Sequence, residues 1–63
     1  MFTEKELWQI VGLVSNVDYY AKSNFEFGLK VLAMLPDSED KTYYQKNFNQ
    51  EIFDLEEHEK ENN

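Results

Sequence analysis

Four side chains near the C-terminus, Asp54, Glu57, His58 and Glu61, carry ligand chemistry at successive spacings of three, one and three residues. On a helix the positions i, i+3, i+4 and i+7 share a face, so three carboxylates and an imidazole would project together toward a divalent cation. The spacing departs from the Glu-x-x-His arrangement of di-iron bundles, because Leu55 stands three residues before His58. No stretch has the ligand spacing of a calcium loop. A solvated acidic surface accounts for the same residues without a ligand, and no metal or cofactor is expected.

Catalysis has little to draw on. The chain has no cysteine and no arginine, and His58 is its single histidine. Thr3, Ser23 and Ser38 stand where helix caps belong. Carboxylates are abundant, but general acid–base work needs a cleft that excludes water and moves their pKa values, which a few short helices rarely enclose. Gly12 and Gly28 are isolated and make no phosphate loop. These residues suit a binding protein and not an enzyme.

Binding chemistry is better represented. Ten of the 63 residues are aromatic, and several are adjacent: Tyr19-Tyr20, Tyr43-Tyr44 and Phe25-Glu26-Phe27. Neighbours on a helix point about 100° apart, so one member of each pair falls at the edge of the buried stripe or outside it. Tyrosine and tryptophan are enriched at protein interfaces. Trp8, Tyr19, Tyr20, Tyr43 and Tyr44 are therefore the candidate partner-contact residues, at least one of which is expected at an interface, while most of the rings cover a small core. A second possibility comes from the acids. Glu39, Asp40, Glu51, Asp54, Glu57 and Glu61 could imitate a run of phosphates and occupy the basic groove of a DNA- or RNA-binding protein, steered there by long-range attraction.

Charge excludes other partners. The net charge is −7. Residues 1–36 hold four acids against three lysines, whereas residues 37–63 hold nine acids against three lysines. No basic stripe exists to displace counterions from phosphates, so direct nucleic-acid binding is set aside, and anionic membranes are disfavoured for the same reason. No run of about 20 apolar residues is present, and the apolar stretch at residues 7–14 follows an acidic segment unlike a signal peptide. The expected location is the cytoplasm. A basic set made of lysine with no arginine, together with six asparagines, fits an A/T-rich genome such as that of a low-GC bacterium, its phages or plasmids.

The elements that must carry these residues are helical. Thr3 and Glu6 form a capping-box pair, and Phe2 and Leu7 stand at the two positions of a hydrophobic staple across the same cap. Leu7, Ile10, Val11, Val14 and Val17 follow at helical spacing. Beyond them the reading divides. Ser15-Asn16 and Ser23-Asn24 are both plausible interruptions, and Ser23 with Glu26 offers a second capping box. A single helix over residues 4–35 is the alternative, with Ala21 and Gly28 small enough to admit another helix closely. A short strand at residues 25–31 fits the alternation of Phe25, Phe27, Leu29 and Val31, but it lacks a partner strand. Pro36 breaks the chain by pushing Leu35 out of helical geometry. Asp37 or Ser38 then caps a last helix with the stripe Tyr44, Phe48, Ile52 and Leu55, widened by Tyr43 and Phe53. Acids at its C-terminus oppose the helix dipole, so residues 58–63 are expected to fray as an acidic tail behind a domain of residues 1–57.

The fold class that follows is all-α, as a three-helix bundle or a long-helix hairpin. A 63-residue chain buries only about 60% of its unfolded surface, and without cysteine it has no disulfide or thiolate zinc to reinforce it. Ten aromatics and the aliphatic stripe exceed what so few helices can enclose, so a homodimer is expected, joined through the nearly neutral first 36 residues. The function that fits is a small acidic accessory or inhibitor that binds a protein, with the nucleic-acid mimic as its alternative.

Overall fold

A computed structural model describes residues 1–16 and 21–61, and of Glu61 the backbone only. Three helices make up these residues: α1 (Glu4–Ser15), α2 (Lys22–Ala33) and α3 (Glu39–Glu61). No strand occurs among the described residues, so residues 25–31 are helical.

Local chemistry explains most of the boundaries. The Thr3 hydroxyl accepts the Glu6 N–H at 3.2 Å while the Glu6 carboxylate accepts the Thr3 N–H at 3.0 Å, which satisfies two amides at the start of α1. Phe2 and Leu7 line one groove beside it, with Met1 and Met34. The first helix ends at Ser15. There the Ser15 hydroxyl and the Asn16 side-chain amide both donate to the Gly12 carbonyl, at 3.0 and 2.9 Å, so Ser15-Asn16 is a true interruption. The single helix over residues 4–35 is not formed. The second capping box is not formed either. Ala21 is the N-cap of α2 and makes no side-chain cap bond, and Ser23 lies inside the helix. Lys22, the first residue of α2, pairs with Glu56 of α3 at 3.0 Å, a tie across the bundle.

The turn at Pro36 is held by one lysine. Lys41 Nζ donates to the Leu35 carbonyl at 2.9 Å and pairs with Asp37 Oδ1 at 3.1 Å. Ser38 caps α3 by accepting the Lys41 N–H at 3.1 Å. Helix α3 then continues through Glu61, across most of the stretch expected to fray. Its 23 residues span about 34 Å and account for much of the 41 Å length of a molecule only 20 × 17 Å in the other directions.

Helix α2 is the centre of the packing. It lies against α1 on one side and α3 on the other, while α1 and α3 meet through side chains, as where Trp8 stands 5.9 Å from Tyr44 between ring centroids. The core is Leu7, Val11 and Val14 of α1, Phe25, Val31 and Leu32 of α2, Leu35 of the turn and Phe48 of α3. At Gly28 side chains of both α1 and α3 press on α2. A β-carbon there would lie 2.7 Å from Phe48 Cε2 and 3.1 Å from Val14 Cγ1, so the absence of a side chain is what lets the ring of Phe48 lie against the α2 backbone.

Candidate functional site

The five candidate contact residues part company in the structure. Tyr19 and Tyr20 lie outside the described residues. Trp8 and Tyr44 are half-buried and face each other across the α1–α3 gap, where they pack on the core. Tyr43 is 60% exposed and makes an edge contact with its neighbour Tyr44, at 5.2 Å and 83°. Tyr43 and Phe53, expected to widen the core stripe of α3, instead stand out in solvent. The reason is that α2, with Trp8 of α1 beside Tyr44, lies against one side of α3. These neighbours cover the narrow stripe of Tyr44, Phe48, Ile52 and Leu55, and the rings of Tyr43 and Phe53 are left uncovered.

What α3 turns outward is therefore a continuous surface. At 100° per residue Glu39, Tyr43, Asn47, Gln50, Asp54 and Glu57 fall within an arc about 80° wide, and all six are exposed. Lys46 and Phe53 flank the arc on one side, Asp40 and the half-buried Glu51 on the other. A shallow depression of about 430 Å³ runs along this face, lined by Tyr43, Lys46, Asn47, Gln50 and Glu51. Tyr43 and Phe53 stand ten residues apart, about 15 Å along the axis, with amide and lysine side chains between them. Gln50 Nε2 donates to Asp54 Oδ1 at 2.9 Å, which holds both side chains along the surface.

The candidate acids share this face in two groups. Glu39 and Asp40 sit in the first turn, where the helix dipole favours them, and Glu51, Asp54 and Glu57 follow after a gap of about 16 Å. The side chain of Glu61 lies outside the described residues. Lys46 and the uncharged Asn47 and Gln50 fill the gap, so the acids do not form an unbroken row. Asp54 is engaged by Gln50 and Glu57 lies 3.7 Å from Lys60. Among the described residues no three histidine, aspartate or glutamate side chains converge to hold a metal ion, and no polar or charged residue is buried.

Among the described residues two ionisable groups are moved from their ordinary values, and both belong to structural contacts. The Thr3 backbone N–H, and after it the Thr3 hydroxyl, hold the Glu6 carboxyl below its usual 4.5. The hydrogen bond to Glu56, and then its charge, raise Lys22 above 10.5. Neither group lines the outer face of α3.

A second exposed surface escaped the reading of single residues. Leu13 is 69% exposed, Met34 66%, Phe2 61% and Phe27 52%, and all four belong to the first 36 residues. The excess of apolar side chains over core volume was the signal for it. Among the described residues no helix is long and apolar enough to cross a membrane. Comparison with protein-family models, with curated proteins and with solved structures returns no match.

Proposed function

We propose that this chain is a non-catalytic accessory or inhibitor that acts by binding a protein through the outer face of α3. The observation that carries the reading is the placement of Tyr43 and Phe53. Both are large aromatic rings on a regular helix, more than half exposed, and separated by about 15 Å of polar surface. A helix presenting side chains at positions 43, 46, 50 and 53 has the i, i+3, i+7, i+10 spacing used when a helix lies in a groove of its partner. The two rings supply the anchors, because buried aromatics dominate the energetics of most interfaces. Glu39 and Asp40 at one end and Asp54 and Glu57 at the other complement a groove with basic rims, and they speed the encounter without dominating affinity. A phage- or plasmid-borne protein directed at a host component would have this form.

The nucleic-acid mimic remains the second reading, supported by the shared outward face of Glu39, Asp40, Asp54 and Glu57. Phosphates recur about every 3.4 Å of axis along each strand, whereas the acids here leave a gap of about 16 Å that contains Lys46. That interruption favours the aromatic anchors.

The test is affinity capture from the cells of the source, with the wild-type chain and a Tyr43→Ala/Phe53→Ala variant as parallel baits. The expected result is a protein held by the wild type at about 0.5 M salt and weakened roughly tenfold or more by the double substitution. Equal retention by both baits would refute the proposal. Capture that vanishes in salt and is indifferent to the two rings would transfer the function to the acids.

A further inference from the structure

We propose that the face of α1 and α2 turned away from α3 is the contact surface between two copies of this chain. Contacts with α3 set which side that is. Phe25 of α2 stands 5.7 Å from Phe48 between ring centroids, Lys22 pairs with Glu56, and Trp8 of α1 reaches toward Tyr44, so α3 lies on the Trp8, Lys22 and Phe25 side of the helix pair. At 100° per residue Ile10 and Leu13 of α1, and Phe27 and Met34 of α2, then point to the opposite side. Their exposure agrees: Ile10 is half-buried and the other three are more than half exposed. Phe2 and Met1 extend the face at the N-terminal end of α1, around a groove of about 360 Å³ that they share with Leu7 and Met34. The result is an apolar band running from Met34 along both helices to Leu13 and Phe27.

Three observations select a second copy as the occupant. The first is area. At roughly 100–150 Å² apiece, the exposed parts of Met1, Phe2, Leu13, Phe27 and Met34 supply about 600 Å² of apolar surface. A stable interface takes about 800 Å² from each side, some 65% of it apolar in homodimers, so this band is of the size one side of a dimer contributes. The second is charge. Each copy carries −7, and two copies can approach closely only where the acids are not. Glu6 is the one acid that α1 and α2 place on this side by helical position, and its carboxylate is occupied by the Thr3 amide, while Lys30 stands at the rim with the opposite sign. A two-fold contact here leaves the acidic α3 helices on the two outer surfaces of the dimer, as far apart as the fold allows. The third is core size. Eight buried residues form the whole core described, which is small for a chain with no cysteine, and a four-helix layer of two α1–α2 pairs would double it. The binding surface proposed on α3 stays free in this arrangement.

Sedimentation equilibrium from about 1 to 100 µM tests the assignment. The wild type is expected at twice 7.6 kDa over the upper part of that range. Leu13→Glu and Phe27→Glu substitute residues exposed in the single copy, so each is expected to keep its helical circular dichroism and to weaken dimerisation a hundredfold or more. Tyr43→Glu, on the other face, is expected to dimerise like the wild type. Should a glutamate variant fail to fold, a spin label on Leu13→Cys, introduced as the only cysteine, reads the same contact through an intermolecular distance under about 25 Å. A wild type that remains at 7.6 kDa throughout overturns the proposal. So does a dimer that both glutamate variants leave intact, or one in which the labels at position 13 lie beyond that distance.

Discussion

The two glycines of this chain should respond in opposite directions to one and the same substitution. In Gly28→Ala the new β-carbon would lie 2.7 and 2.9 Å from two ring carbons of Phe48 and 3.1 Å from Val14 Cγ1. The ring cannot swing away. Phe48 is 1% exposed and is wedged between Phe25 and Tyr44, with ring centroids 5.7 and 6.0 Å distant. Overpacking of this kind costs about 1–3 kcal/mol, and the better helix propensity of alanine returns about 0.8–1.0 of it. The net loss is about 0–2 kcal/mol, or a fall in melting temperature of up to roughly 15 °C for a domain of this size. At Gly12 a β-carbon meets nothing within 4 Å among the described residues, so only the propensity gain operates and Gly12→Ala should stabilise by up to about 1 kcal/mol. Thermal unfolding followed by circular dichroism reads both, at one protein concentration so that self-association does not enter the comparison. A Gly28→Ala protein as stable as Gly12→Ala would refute the close approach of Phe48 to the backbone of α2.

Thr3→Ala should cost about 0.5–2 kcal/mol by removing the cap of α1, measurable as a lower urea midpoint. Because the folded state depresses the Glu6 carboxyl below 4.5, that residue's contribution is fully present above 4.5 and is lost as pH falls through its folded value. Glu6→Gln should flatten that part of the stability–pH curve, and an unchanged acid limb would contradict the box. Deleting residues 58–63 should leave the melting temperature and the helicity per residue nearly unaltered, since the last core contact of α3 is Leu55 and the tie to Lys22 is made by Glu56.

Much of this architecture could be read in advance, and the exceptions have a common cause. The capping box at Thr3, the break at Pro36, the Ser38 cap and the stripe of Tyr44, Phe48, Ile52 and Leu55 are determined within one or two turns, so local pattern suffices. The start of α2 stayed open between Ser23 and no break at all because a capping box is a local pattern, and neither alternative holds: α2 starts at Lys22, which meets Glu56 thirty-four residues away. Close approach at Gly28 was expected only within a single helix over residues 4–35, paired with Ala21; that helix is not formed, and Gly28 instead admits Phe48 of α3 to the backbone of α2. Tyr43 and Phe53 illustrate the limit for the candidate site. A helical wheel gives the angle between residues and says nothing about how many neighbours the helix has, and that number decides whether a ring at the edge is covered.

The central position of α2 also bears on how the chain reaches its fold. Each packed pair joins helices that follow one another in sequence, and the backbones of the first and last stay apart. No distant segment has to be found before the first tertiary contact forms, so the entropy lost in closing each loop is small. Chains dominated by such local pairings fold in microseconds to milliseconds. The two ends also tolerate independent change, because a substitution confined to the outer side of α1 shares no packed neighbour with one on the outer side of α3, and their effects on stability should add.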